Sequence, residues 1–199
     1  MEDFIGRLDC PEHVVDGIVK YFVDNKDLHV QGTTGVSRGN EPTLSGVNKD
    51  IKDSTDLVCY MPQLKGIWKD YQIHLSQALD KYAERFTKIR NLHNFSVIEP
   101  FLIQHYEKGG GYKMEHFERY GANDLTIKRV LVFMTYLNDV DDGGTHFKYY
   151  NHTEEAIKGK TIIWPADWTH THCGQISQTK PKMIVTGWFS HLWDFYVEY

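Results

Sequence analysis

Between Phe95 and Ser190 the chain is a succession of short runs rich in Val, Ile, Thr and aromatic residues, each closed by a turn signal. The turn signals are Gly109-Gly110-Gly111, Asp141-Asp142-Gly143-Gly144, Lys158-Gly159 and Pro165-Ala166-Asp167. Such residues punctuate strands because they supply positive φ, fix φ, or bond their own backbone. The spacing predicts strands near 95–106, 112–118, 129–137, 145–150, 160–164, 168–173 and 182–190. Antiparallel strands this short and this closely linked point to a sandwich or jelly roll, with any helices packed outside.

Helical periodicity is confined to the N-terminal half. Asp9-Cys10-Pro11-Glu12 has the form of a capping box with a proline in the first turn, and Val14, Val15, Ile18, Val19 and Phe22 follow at helical spacing. A second helix is predicted from Leu64, Ile67, Trp68, Tyr71, Leu75, Leu79, Tyr82 and Phe86, ending near Ile89. Together the two can cover one face of a sheet. From Asn25 to Asp56, including QGTTGVSRGNEPTLSG, apolar anchors are sparse, which predicts a mobile loop over a site.

With 199 residues, the expected organisation is a single domain: a helical N-terminal region over 1–92 and a jelly-roll core over 93–199. A hydrophobic fraction of 41% and five Trp suit a packed globular core, and no run of about 18 apolar residues is present to span a membrane. The acidic start, MEDFIGRLDC, lacks the pattern of an export signal, so a cytoplasmic protein is expected. Three scattered cysteines argue against a disulfide framework, and a net charge of −5 argues against a broad nucleic-acid footprint.

The chemistry-bearing residues lie in the strand region. On a strand, residues i and i+2 share a face, so His116 and Glu118 can address one centre while Phe117 turns away. A third ligand is available from WPADWTHTHCGQISQTKPK, which offers His170 and His172 on a common face. Two imidazoles and a carboxylate form the facial triad of non-haem iron(II) oxygenases. The strand 182–190 carries Lys182, Ile184, Thr186 and Trp188 on one face and Met183, Val185, Gly187 and Phe189 on the other. A lysine on such an apolar face is costly to bury without an anion, and a ligand carboxylate would pair with it and accept a hydrogen bond from Thr186.

In these features the chain resembles the iron(II) and 2-oxoglutarate-dependent dioxygenases of the prolyl 4-hydroxylase-like family. The resemblance runs from about 100 to 190. It rests on Tyr106, the Gly109-Gly110-Gly111 turn, Tyr112 and His116-Phe117-Glu118, followed by Tyr136-Leu137-Asn138, Gly143-Gly144-Thr145-His146-Phe147 and the segment Lys158 to Pro165. Lys182, Thr186 and Trp188 match the family's closing basic, Thr and Trp positions, with His172 ten residues before Lys182. The resemblance implies an α+β, mainly β fold with a double-stranded β-helix (jelly-roll) core and N-terminal helices outside. It implies iron held by His116, Glu118 and His172, and 2-oxoglutarate held by Lys182 with Tyr106, Tyr136 and Thr186. His170 is the fallback ligand. Ascorbate is admitted as a further cofactor. The implied reaction hydroxylates a prolyl or related substrate, peptidyl or small, with release of succinate and CO2.

One position departs from the family pattern: Glu118 stands where most members have Asp, adding one methylene between backbone and metal. This keeps a non-catalytic jelly-roll module, binding a metal or small acid, as the alternative. A zinc hydrolase is disfavoured because its His-Glu-x-x-His helix is absent. Substrate choice is expected from loops within 26–56 and 119–127.

Overall fold

The computed structural model describes residues 2–36, 44–60, 65–120 and 124–192. In chain order the elements are β1 (Gly6–Asp9), α1 (Glu12–Asp24), β2 (Val30–Gln31), β3 (Thr34–Val36), β4 (Leu44–Gly46), β5 (Lys52–Asp53), β6 (Thr55–Cys59) and α2 (Ile67–Arg85). There follow β7 (Phe95–Ser96), β8 (Phe101–Tyr106), β9 (Gly111–Tyr112), α3 (Asp124–Lys128), β10 (Arg129–Tyr136) and β11 (Val140–Phe147). The chain closes with β12 (His152–Ala156), β13 (Lys160–Pro165), β14 (His172–Gly174) and β15 (Lys182–His191).

Period two sorts the strand residues onto two faces of one large antiparallel sheet, ordered β1-β13-β10-β15-β8-β6-β2 with β7 paired to β15. On one face Leu57, Phe101, Ile103, Leu131, Phe133, Ile163, Val185 and Phe189 form a core with Val14, Val15, Ile18 and Phe22 of α1 and Trp68, Tyr71, Leu75 and Tyr82 of α2. The helices approach closely because residue 17 is glycine, where a Cβ would lie 2.5 Å from Ile67 Cγ1. The opposite face carries Val132, Met134, Tyr136, Ile162, Trp164 and Ile184, packed with Val140, Phe147 and Ala156 from a smaller sheet ordered β12-β11-β14. This is the expected jelly-roll core with helices outside.

Several local expectations are corrected. The capping box does not form: Asp9 is drawn into β1 opposite Lys160, and α1 starts after Pro11 without a side-chain cap. The N-terminal region supplies strands as well as helices. Within the predicted loop 25–56, β2 and the start of β6 extend the large sheet and β5 pairs with β9, because pairing partners compensate for the scarcity of apolar residues in these runs. Its residues 37–43, and Leu64 of the predicted second helix, lie outside the described residues, as do 121–123 of the second loop.

Asp141-Asp142-Gly143-Gly144 is no turn but an irregularity inside β11, where the register slips between Val140 and Thr145. Lys148–Tyr150 and Trp168–His170 are 3₁₀ turns, so the strands predicted at 145–150 and 168–173 are shortened at one end. The predicted strand 112–118 reduces to Gly111–Tyr112 and an isolated bridge at His116. The unpredicted β12, HTEEA, is too polar to read as a strand; its buried Glu154 is held by Arg7 and His152. No helix among the described residues is long and apolar enough to cross a membrane.

Candidate active site

Between the apolar faces of the two sheets lies a cavity of about 260 Å³. His116, Glu118, His172, Lys182, Thr186, Tyr136 and Tyr106, the seven residues expected to serve metal and cosubstrate, all line it. His170 and His146 do not.

The two imidazoles are brought together by backbone pairing. His116 and His172 face each other in an antiparallel bridge, with N–H to C=O distances of 2.9 Å in both directions, and their ring centroids are 4.4 Å apart. Glu118 is anchored separately, its N–H donating to Ala166 O at 3.1 Å. Glu118 Oε1 then lies 3.3 Å from His116 Nε2 and 3.9 Å from His172 Nε2. One donor atom from each residue falls within 4.8 Å of the others, the cluster of this kind found among the described residues.

The protonation states suit a cation. His116 Nδ1 is 3.0 Å from Met114 O and His172 Nδ1 is 2.8 Å from His170 O. A carbonyl can only accept, so each Nδ1 carries a proton and each Nε2 is the ring nitrogen directed at the shared centre. Burial, reinforced by His116, pushes the His172 imidazole down to about 3, so it is neutral at physiological pH. For Glu118 burial acts upward, but the hydrogen bond and charge of His116, with Arg129 and His172, outweigh it and hold the carboxyl at about 2. Two imidazoles and one carboxylate around a shared centre match the donor set that binds iron(II) with positions left open. A metal therefore fits these residues.

Lys182 is only 4% exposed, and its Nζ donates to Gly143 O and Gln175 O, each at 2.9 Å. No carboxylate lies within ion-pairing distance of it among the described residues. Burial pushes its ammonium down to about 8, with Cys173 and Asp142 pulling weakly upward. Gly174 keeps the approach open, since a Cβ there would stand 3.3 Å from Nζ. A buried cation contacted by two carbonyls and the Tyr106 ring, with Nζ 5.4 Å from its centroid, is chemically suited to an anion.

The remaining polar groups are more occupied than the sequence suggested. Tyr106 Oη donates to Gln104 Oε1 at 2.7 Å, and Tyr136 Oη donates to Thr145 Oγ1 at 2.7 Å. Thr186 donates to Phe133 O at 3.2 Å, so its proton is committed to the sheet and the expected donation to a ligand carboxylate requires rotation. His170, in a 3₁₀ turn rather than a strand, pairs its Nε2 with Asp3 O at 3.0 Å; its carbonyl, not its ring, serves the cluster. His146 pairs with Thr153.

Two groups were missed from sequence. Arg129 reaches Glu118 Oε2 at 3.3 Å, and Trp188, expected only as the family's closing Trp, donates Nε1–H to the same oxygen at 3.0 Å. Lys52, paired with Asp56 at 2.5 Å, closes the N-terminal wall of the cavity. For Trp188 the signal was available, since alternation puts it on the cavity face with Lys182 and Thr186.

Residues 101–190 match the sequence profile of the 2OG-Fe(II) oxygenase superfamily. No curated protein sequence matches the chain significantly. Among solved structures, a prolyl-4-hydroxylase of Pseudomonas putida is 14% identical with a TM-score of 0.66, covering 95% of this chain and 93% of its own. The viral collagen prolyl hydroxylase of Paramecium Bursaria Chlorella virus-1, as a 2OG complex, is 16% identical with a TM-score of 0.69 over 95% and 97% of the two chains. A Trichoplax adhaerens prolyl hydroxylase, in complex with a hypoxia inducible factor oxygen degradation domain peptide fragment, is 13% identical with a TM-score of 0.67 over 94% and 84%. These likenesses establish a common fold. Residues 101–190 thus resemble the 2OG-Fe(II) oxygenase superfamily in sequence, on a fold the chain shares with prolyl 4-hydroxylases.

Proposed function

We propose that the chain is an iron(II)- and 2-oxoglutarate-dependent dioxygenase that hydroxylates a prolyl or related residue in a peptide. The observation that carries this is one cavity containing both a His–Glu–His cluster and a buried ammonium with no acid partner among the described residues. His116, Glu118 and His172 would hold iron(II), which when bound supplies the oxidising chemistry that couples decarboxylation of 2-oxoglutarate to C–H hydroxylation. Lys182 would bind the distal carboxylate of 2-oxoglutarate, with Tyr106, Tyr136 and Thr186 shaping the pocket around its chain. The hydrogen bonds from each Nδ1 fix the imidazoles before ligands arrive, and the apolar residues Met134, Trp164 and Ile184 keep bulk water from the reacting groups. Support for a peptidyl substrate comes from the shared fold with the Trichoplax adhaerens prolyl hydroxylase, whose structure is of a complex with a peptide fragment.

The test is 2-oxoglutarate-dependent release of succinate in the presence of iron(II) and oxygen, with mass spectrometry of proline-containing peptides for the gain of one oxygen. Iron and 2-oxoglutarate binding without any succinate would instead identify a non-catalytic binding module.

A further inference from the structure

The two oxygens of Glu118 have different surroundings. Oε1 faces His116 and His172, while Oε2 accepts from Trp188 Nε1 at 3.0 Å and from Arg129 Nη1 at 3.3 Å. Arg129 is itself fixed on three sides. Its Nη2 is 2.7 Å from Glu99 Oε2, its Nη1 also donates to Glu118 O at 3.2 Å, and its guanidinium carbon lies 3.6 Å over the Trp188 ring. Glu99 is held in turn by Ser190 Oγ at 2.6 Å.

The backbone is shaped to bring Arg129 there. Strict alternation along β10 would place Arg129 with Leu131 and Phe133, on the helix side. The register shifts between Arg129 and Leu131: Arg129 faces Ser190 and Leu131 faces Phe189, so Val130 is an extra residue. A bulge of this kind re-aims a side chain. Val130 accordingly joins the helix-side core, and Arg129 lines the cavity.

We propose that Arg129 and Trp188 are positioning residues that clamp Glu118 Oε2, so that the longer glutamate presents Oε1 alone to the metal. This rests on the dioxygenase proposal. It explains how a glutamate serves where an aspartate is usual: the added methylene lets one carboxylate reach the clamp and the metal centre together. An aspartate, shorter by about one C–C bond of ~1.5 Å, cannot hold both.

The test is binding of Mn(II), under anaerobic titration, to the whole chain and to Trp188→Phe, Arg129→Lys, Glu118→Asp and Glu118→Asp/Trp188→Phe. Trp188→Phe keeps an aromatic ring at the position under Arg129 while removing the N–H together with part of the indole; unfolding of the metal-free proteins checks that the fold is spared. Loss of an outer partner of a ligand typically lowers metal affinity by about 10- to 100-fold, and that is the expected loss for Trp188→Phe and Arg129→Lys. Lysine should not rescue because it lacks the planar fork that spans Glu99 and Glu118. Glu118→Asp should also bind more weakly, and adding Trp188→Phe to it should cost nothing further, because the clamp is already out of reach. Unchanged affinity in Trp188→Phe, or an equal loss from Trp188→Phe in the Glu118 and Glu118→Asp backgrounds, overturns the clamp while leaving the dioxygenase proposal intact. Failure of the unsubstituted chain to bind Mn(II) overturns both.

Discussion

Lys182→Met removes the cation from the floor of the cavity and keeps an apolar stem of similar length. If the ammonium receives the distal carboxylate of 2-oxoglutarate, the substitution removes a buried charge-assisted hydrogen bond worth about 2–5 kcal/mol, or, at ~1.4 kcal/mol per decade, about 30- to 4,000-fold in affinity. The metal should be untouched, because Lys182 bonds to Gly143 O and Gln175 O and not to the imidazoles. Anaerobic calorimetry with Mn(II) in place, titrating metal and then 2-oxoglutarate, separates the two affinities. The ammonium is held at about 8 by burial, below its ordinary value of 10.5. Below pH 8 the lysine is charged whether or not the anion is present; above it, binding must take up a proton, so 2-oxoglutarate affinity should fall as pH rises past about 8. In the ligand-free protein the unfolded chain binds more protons between about 8 and 10.5, so stability should rise with pH across that window, and Lys182→Met should remove the rise. Unchanged 2-oxoglutarate affinity, or a parallel loss of Mn(II) affinity, would refute the assignment of Lys182 as the anion receptor.

Three further outcomes are expected. His172→Ala should abolish metal binding in the same titration, whereas His170→Ala should retain it, because only the backbone carbonyl of His170 serves the cluster. Glu118→Gln should weaken Mn(II) binding and stop succinate release. The Glu118 carboxyl sits at about 2, against an ordinary 4.5, so its contribution to metal-free stability is complete above 4.5 and lost as pH falls toward 2; acid unfolding of Glu118→Gln should lack that component. Phe133→Ala, which empties a fully buried site under both helices, should cost about 3–5 kcal/mol by denaturant unfolding, with the cavity-face residues unaltered.

The legible features of the site were those carried by local geometry. His116 and Glu118 are two residues apart, and that spacing delivers both side chains to one centre even though the run around them is a bridge and not a strand. The two faces of β15 were equally legible, because ten uninterrupted strand residues keep period two without error. Arg129 was illegible for the converse reason: a single bulged residue reverses the parity of everything before it, and nothing in Lys128-Arg129-Val130 announces the bulge. The choice between His170 and His172 was open on spacing alone, since a strand would have aimed both at one side; the 3₁₀ turn at Trp168–His170 separates them.

By itself, then, the sequence determined the alternation of short strands, the helical stripes of α1 and α2, the His–x–Glu pair and the lysine on an apolar strand face, all of which depend on neighbours within a few residues. Tertiary structure alone decided that β1, β2 and β6 join the sheet, that His116 and His172 meet backbone to backbone, that Lys182 is buried with no ion-paired acid among the described residues, and that Arg129 and Trp188 grip one oxygen of Glu118. The physical reason is that pairing register, burial and partnering are set by residues far apart in the chain, and a local pattern carries no record of which distant strand will complete it.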